Sequence, residues 1–458
     1  LHARSCACSR ERSQHMNEID QVLKGSPYQG YLYSYPHKTS YRPLAAPQSL
    51  AKTWQDEDSS NLFLYLHVPF CEMRCGFCNL FTSAKPRGGS GGDIVSGYLE
   101  AIERQAQRFH EAVPNAHFSR LALGGGTPTY LDPDDLQRLF TIARKTFGMD
   151  LKSIPSSVET SPETANQERL AVLRENHVDR VSIGVQSFID EEVRSVGRAQ
   201  KREEVCQTLA RMREIGFPIL NIDLMYGLPG QSQDRWQYSI DQALEFGPEE
   251  IYLYPLYVRP LTGVSRLGRS WDDERLDLYR YGRDYLCERG YEQVSMRMFR
   301  KARSAAEEAP VYCCQDDGMV GLGPGARSYT RTLHYSSDYA VAASGVREII
   351  DSFSSRSDDQ LATVDYGTAL DQAEEKRRFL ILSLLHIDGL DQEAYRQRFE
   401  ASPHDDFPEL AVLCEAALVR EEAGRFLLTE IGFERADAIG PWLHSQKVNQ
   451  LMQEFELR

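Results

Sequence analysis

Six short apolar or β-branched runs, Asn61–Val68, Leu121–Leu123, Ser157–Glu159, Arg180–Val185, Leu220–Met225 and Ile251–Tyr257, recur with helical-period stretches between them. Strands that alternate with helices pair in parallel, because each crossover returns the chain to the same end of the sheet. Asp132-Pro133 and Ser161-Pro162 each set a capping side chain before a proline at the first helical position, where its missing N–H costs nothing. They predict helices over Pro133–Phe147 and Pro162–Asn176. With right-handed crossovers the series closes into an α/β fold, an open partial (βα)6 barrel of the TIM type. Barrels of this kind gather their functional groups at the C-terminal ends of the strands.

The rest of the chain divides less sharply. Residues 1–60 read as an N-terminal extension, in which Met16 begins what reads as the natural chain and residues 1–15, with Cys6 and Cys8, read as an artefact. The barrel and its extension are expected over 61–335. Asp351–Gln360, DSFSSRSDDQ, is polar and Ser- and Asp-rich, which suggests a linker over 336–370. From Asp371 the pattern is helical again through EEKRRFLILSLLHIDGL, and with a short strand at Phe426–Thr429 it predicts a small, mainly helical, winged-helix-like domain over 371–458. Pro86–Asp93, PRGGSGGD, reads as a surface loop, since no Lys-Ser/Thr opening a helix follows it as a phosphate cradle would need.

Directly after the first apolar run stands CEMRCGFC, which places Cys71, Cys75 and Cys78 at C-x3-C-x2-C spacing with no fourth cysteine nearby. Thiolates hold iron–sulfur clusters, usually four to a cube, so three ligands leave one iron of a [4Fe-4S] cluster open for chemistry. An open iron can chelate the amino and carboxylate groups of S-adenosylmethionine, and one electron from the cluster then breaks the sulfonium C–S bond; that chemistry is the cofactor's, while the protein positions it and excludes water. A structural zinc would need a fourth Cys or His, for which His67 is the near candidate. The opening residues lack an apolar signal core, so free thiols in a reducing, cytoplasmic compartment are the expectation.

Composition points the same way. An apolar content of 41% over 458 residues is enough for a sizeable core, and a net charge of −15 argues against nucleic acid as a partner. No apolar run approaches the roughly 20 residues that a membrane-spanning helix takes. The expected partners are a small-molecule substrate and a reductant such as a flavodoxin or ferredoxin, and the expected state is a monomer or weak dimer.

YLHVPFCEMRCGFC, LALGGGTPTYL, SVETSPET, RVSIGVQSF, GRAQ and NIDLMYGLPGQ, in this order, resemble the radical S-adenosylmethionine enzymes of the oxygen-independent coproporphyrinogen III oxidase family from about Asn61 to Tyr329. The tail from Glu374 is similar to that family's C-terminal module. The resemblance implies a cluster on Cys71, Cys75 and Cys78 and at least one S-adenosylmethionine. It implies cofactor contacts at Tyr65, Gly125, Gly126, Thr127, Glu159, Gln186, Arg198 and Asp223, with Phe77 shielding the cluster. Residues without Cβ at Gly124–Gly126 let backbone approach a ligand closely, although a tight turn alone would explain them equally well. Tyr65 could equally be core. Tyr257 and Arg327 fall where the family binds a second cofactor molecule.

Departures from the family bear on the reaction. The oxidase has a further cysteine where this chain has Leu80, which is closer to the family's heme-chaperone branch. That branch carries an HNxxYW segment, whereas the comparable stretch here reads APVYCCQDDGMVGLGPGARS, with Ala309 near the place of the heme-ligating His. Cys313, Cys314 and Asp316 are candidate hydrogen or proton donors to substrate, and equally candidates for ordinary buried positions. Tyr252, Tyr254, Tyr257 and Arg259 could line a substrate pocket or pack in the core; Met225, Met296 and Met298 read as core. Three functions stay open: hydrogen abstraction from a small molecule, including oxidative decarboxylation of coproporphyrinogen III; heme handling; and methyl transfer with a second cofactor molecule.

Overall fold

The computed structural model describes residues 15–30, 34–84, 91–264, 274–302 and 318–456. Its residues fall into two units, Leu1–Ser40 with Trp271–Ala302 and Asp371–Glu454, and Tyr41–Ser270 with Arg303–Leu370 and Phe455–Arg458.

The larger unit is the barrel. Its strands β1 (Leu62–Val68), β2 (Phe118–Gly125), β3 (Ser156–Thr160), β4 (Arg180–Gln186), β5 (Ile219–Tyr226) and β6 (Glu250–Pro255) lie side by side in that order, every neighbouring pair parallel. β1 is buried at every position but Tyr65, as a strand covered on both faces must be. On the other flank of β1 the sheet continues through β7 (Met319–Leu322), parallel to it, and then antiparallel through β8 (Arg327–Tyr329), β9 (Leu333–Ser336) and β10 (Thr363–Ala369) to the strand Arg42–Ser49. The fold is therefore an open, partial TIM-type barrel with an antiparallel extension.

Capping chemistry sets the helices. Asp132 accepts from the Asp135 N–H and Pro133 opens the helix Pro133–Thr141, which widens into a π-helical turn over Ile142–Thr146. The second expected helix begins later than Ser161-Pro162 suggests. Ser161 donates to Glu72 at 2.7 Å and its hydroxyl meets that of Thr164 at 2.9 Å, so it does not cap; Asn166 does, accepting from the Arg169 N–H, and the helix runs Gln167–Glu175.

Residues 336–370 are not a linker. Helix Ala343–Ser354 buries Val346, Ile350 and Phe353 at helical spacing, Ser357 and Gln360 form a capping box for Asp358–Leu361, and β10 follows. The serines and aspartates occupy caps and the outer face. Nor is 1–60 wholly an extension, since Arg42–Ser49 is a strand of the barrel unit's sheet. Of the expected loop Pro86–Asp93, residues 86–90 lie outside the described residues and Gly91 opens the helix Gly91–Ala112.

The second unit is mainly helical, with Gln372–Leu384, Gln392–Phe399, Glu409–Glu415, Ala436–Trp442 and Gln446–Gln453 around a small sheet ordered Leu390–Asp391, Arg425–Leu428, Val419–Glu422. Among the described residues no helix is long and apolar enough to cross a membrane.

Candidate functional site

The cysteine loop leaves the C-terminal end of β1. Phe70–Cys71 pairs in parallel with Ser83–Ala84 and closes the loop that carries Cys71, Cys75 and Cys78, all three free and half-buried. Gly76 anchors its centre: its N–H donates to the Val196 carbonyl at 2.8 Å and its carbonyl accepts from the Val264 N–H at 2.9 Å. A Cβ at Gly76 would lie 2.6 Å from the Val196 oxygen, and one at Gly263 would lie 3.0 Å from the Gly76 Cα, so a side chain fits at neither. Tyr339 donates to the Asn79 carbonyl at 2.8 Å, and the Arg74 guanidinium donates to the Val341 carbonyl.

Each thiol has a polar neighbour. The Thr127 hydroxyl donates to Cys71 Sγ at 3.5 Å, Arg198 Nη1 donates to Cys75 Sγ at 3.2 Å, and the Thr82 hydroxyl lies 3.8 Å from Cys78 Sγ. Burial pushes the Cys71 thiol up to about 12, eased by Thr127 and reinforced by Cys78, Glu72 and Cys75. Burial also raises Cys75, against the pull of Arg198. Iron binding to such thiols releases their protons. Among the described residues no three His, Cys, Asp or Glu groups converge as a single metal ion requires; a cubane asks for a wider set, because each thiolate binds a different iron. His67 is committed elsewhere: Nε2 lies 3.2 Å from the Phe81 carbonyl, to which it can only donate, and Nδ1 lies 3.2 Å from the Tyr65 hydroxyl, from which it accepts.

The glycine run at the end of β2 packs closely against β1 and the cysteine loop. A Cβ at Gly126 would meet the Phe70 carbonyl at 2.6 Å and Cys71 Sγ at 3.0 Å, and one at Gly124 would meet the Tyr65 hydroxyl at 3.1 Å and Glu159 Cγ at 3.5 Å. Gly125 has φ +113° and sits against the His67 ring, where a side chain would collide. The Gly126 and Thr127 N–H groups donate to the Val68 and Phe70 carbonyls at 2.7 and 2.8 Å, tying this turn to the cysteine loop.

Beneath it the barrel interior is polar. Arg180, buried, donates from Nε to Glu250 at 2.7 Å and from Nη1 to Ser157 at 3.0 Å, and Nη1 lies 3.9 Å from Glu159. Asn221 donates to Asp223 at 2.8 Å. Burial and the Glu159 charge push Asp223 up to about 7, against Asn221 and Arg180. Asp223 lies in the middle of β5 rather than at its end, whereas Gln186 closes β4 and Glu159 is next to last in β3. Gln186 has φ +68°, costly for a residue with a side chain. Its buried Oε1 has no hydrogen-bond partner among the described residues. A buried acceptor left in this way is what a bound ligand would satisfy.

The structure therefore brings Tyr65, the glycine run and Glu159 together, sets Asp223 within electrostatic reach of Glu159, and joins Arg198 to Cys75. Phe77 is half-buried in the cysteine loop, and Leu80 beyond it is exposed. Tyr257 lies past the end of β6 with Arg259 over its ring at 4.7 Å, and Arg327 opens β8. Tyr252 and Tyr254 stack at 5.8 Å. Met225 and Met296 are buried. Ala309, Cys313, Cys314 and Asp316 lie outside the described residues. Four residues escape a sequence reading: Glu72, which receives the Ser161 hydroxyl; Arg180 and Glu250, charges at the starts of apolar strands; and Gln200, which accepts from Arg198 Nε at 2.7 Å. A charge opening an otherwise apolar run is the signal for the ion pair; the GRAQ motif is the signal for Gln200.

Residues 65–243 match the Radical SAM superfamily, and the open parallel barrel with a three-cysteine loop after its first strand and a glycine turn after its second agrees with that match. Proteins of this class bind a [4Fe-4S] cluster and S-adenosylmethionine; the three free thiols fit the first, and the buried, unsatisfied Gln186 oxygen beside Arg198, Glu159 and Asp223 fits a polar ligand such as the second. Beyond that segment the chain is similar to oxygen-independent coproporphyrinogen III oxidases and to heme chaperones. It is 28% identical to the heme chaperone HemW of Bacillus subtilis over 80% of this chain and 95% of that protein. It is 28% identical to the oxygen-independent coproporphyrinogen III oxidase of Escherichia coli over 85% of this chain and 88% of that one. The solved coproporphyrinogen III oxidase HemN from Escherichia coli has the same fold, with a TM-score of 0.74 at 23% identity over 93% of this chain and 98% of that chain.

Proposed function

We propose that this protein is a radical S-adenosylmethionine enzyme whose cluster is held by Cys71, Cys75 and Cys78 and whose substrate is a small organic molecule, with the oxidative decarboxylation of coproporphyrinogen III as the specific reaction to test first. The observation that carries the reading is the set of three free thiols on a pinned loop facing the Gly124–Thr127 turn. Held by Cys71, Cys75 and Cys78, the cluster would pass one electron to bound S-adenosylmethionine and so supply reductive C–S cleavage and hydrogen abstraction from the substrate.

The chain's own residues bind and orient. Gly125, Gly126 and Thr127 let backbone approach the methionyl end of the cofactor. Glu159 and Asp223 accept from ribose hydroxyls and offer negative charge to a cationic ligand. Gln186 offers its unsatisfied oxygen, Arg198 is a donor, Tyr65 closes the edge beside Glu159, and Phe77 keeps water from the thiols. Tyr257 and Arg327 are the residues for a second cofactor molecule. A reductant such as a flavodoxin or ferredoxin would supply the electron, and the cytoplasm is the compartment that suits free thiols.

A second reading has its own support. The similarity to HemW covers nearly all of that protein, and Leu80 stands where the oxidase branch has a cysteine, so a heme-handling role is equally open. Incubating the anaerobically reconstituted, reduced protein with S-adenosylmethionine and either coproporphyrinogen III or heme separates the two. Decarboxylated porphyrinogen with 5′-deoxyadenosine supports the oxidase; tight heme binding without porphyrinogen turnover sinks it in favour of the chaperone. S-adenosylhomocysteine among the products would mark methyl transfer instead.

A further inference from the structure

We infer that Arg198, held in place by Gln200, is part of the redox machinery of the site: its guanidinium donates a hydrogen bond to the Cys75 sulfur and so sets how readily a cluster on that thiolate accepts an electron. The inference rests on the reading that Cys75 is a cluster ligand.

Three of the five Arg198 donors are committed within the protein. Nε donates to Gln200 Oε1 at 2.7 Å, Nη2 to the Gly184 carbonyl at 2.6 Å, and Nη1 to Cys75 Sγ at 3.2 Å. Gln200 cannot turn away, because its buried amide nitrogen donates to the Val185 carbonyl at 2.6 Å and the Ser187 carbonyl at 3.3 Å. That leaves its oxygen facing Arg198. The fork is thus clamped at the end of β4 with one nitrogen aimed at sulfur.

The backbone enforces the same approach independently. Val196, two residues before Arg198, accepts from the N–H of Gly76, the residue after Cys75, at 2.8 Å. Gly197, at φ +70°, lies so close that a Cβ there would meet the Gly76 nitrogen at 3.2 Å. The Arg198 N–H in turn donates to the Val193 carbonyl at 2.9 Å. The two loops are therefore fused at Gly76, and Arg198 and Cys75 flank the weld. An arginine there solely for a ligand's carboxylate would not need this attachment.

Reduction adds negative charge to a cluster and its sulfurs, so a donor and cation at one sulfur stabilises the reduced form more than the oxidised one. In a half-buried site that charge is poorly screened. Glu72 acts in the opposite sense on the same thiol, which makes Arg198 the cation that offsets it. Gln200 acts through Arg198 and is a positioning residue.

The test is a redox titration, followed by electron paramagnetic resonance, of the full chain reconstituted anaerobically without S-adenosylmethionine, comparing the parent with Arg198→Gln, Arg198→Lys and Gln200→Leu. Arg198→Gln should keep the parent's iron content while its one-electron reduction constant falls about tenfold, which is about 59 mV more negative. Arg198→Lys should fall between, and Gln200→Leu should shift the same way by less. An unchanged potential in Arg198→Gln, with weaker S-adenosylmethionine binding measured separately, would overturn the inference and leave Arg198 a cofactor ligand alone. If Arg198→Gln assembles no cluster, Arg198→Lys and Gln200→Leu decide, and parental potentials in both overturn it. Failure of the ligand assignment looks different: Cys75→Ala would then keep a parental cluster.

Discussion

Two buried carboxylates, one in each unit, are held in opposite ways. In the mainly helical unit, Glu434 sits between Arg280 and Arg283, whose guanidiniums donate to it at 2.7 to 3.0 Å. Although burial favours its protonated form, the two cations hold it below the usual carboxylate range. In the same unit Glu374 accepts from the Tyr35 hydroxyl and, at 2.6 Å, from Ser445. In the barrel interior Arg180 is met by Glu250, but Asp223 has no such cation of its own. Asp223 shares its surroundings with Glu159 and is pushed up to about 7, while Gln186 Oε1 and Glu72 Oε2 are buried without hydrogen-bond partners among the described residues. Satisfied networks fix a structure, and unsatisfied ones wait for a ligand.

The largest expected effect breaks the site alone. Replacing Cys71, Cys75 or Cys78 by Ala should abolish the cluster absorbance and all cleavage of S-adenosylmethionine; retained iron with activity in any of them would remove that cysteine from the ligand set. Next comes the compensated unit. Glu434→Ala removes the buried carboxylate that Arg280 and Arg283 share, leaving Arg283 its contacts to Asp284 and Glu430, and should cost about 1.5–3 kcal/mol in urea unfolding, with S-adenosylmethionine affinity in the native protein unchanged. A cost below about 1 kcal/mol would mean that the network is not the fixture described here.

Asp223→Asn should do the reverse. Because the folded pKa of Asp223 lies above the unfolded one, its contribution to stability is full below the unfolded value near 3.8 and is lost as pH rises through about 7. At pH 8 the variant should therefore be about 1–3 kcal/mol more stable than the parent while binding S-adenosylmethionine less tightly. Equal or lower stability at pH 8 would contradict the comparison. The smallest effect is a pH dependence. Calorimetric affinity for the cationic cofactor should rise severalfold as pH passes through 7 and Asp223 ionises beside Glu159, Arg180 and Glu250. In Glu159→Gln the same rise should move to lower pH, because the neighbouring negative charge is gone; a flat profile in the parent would exclude Asp223 as the titrating group.

Much of this was legible in the residues. Six apolar runs place the parallel strands, and the cysteine spacing after the first marks the site, because both depend on local pattern. Helix starts were less legible where a capping side chain had a competing tertiary partner: Ser161 bonds Glu72, and Asn166 caps instead. Asp351–Gln360 reads as a linker since its serines and aspartates dominate the composition, while the apolar stripe Val346, Ile350, Phe353 that folds the segment begins upstream of it. Local pattern marks Arg180, Glu250 and Gln200 as unusual, but it does not say that Arg180 will meet Glu250 or that Gln200 will orient Arg198 toward Cys75. Those contacts exist only once the strands are side by side.

The most direct test of the central claim compares parent and Cys75→Ala after anaerobic reconstitution with iron and sulfide, reduction, and addition of S-adenosylmethionine. Four irons per chain and 5′-deoxyadenosine from the parent, with neither from the variant, is the predicted result. A parent that binds four irons and the cofactor yet releases no 5′-deoxyadenosine with coproporphyrinogen III or any other substrate, or a variant that matches the parent, would contradict it.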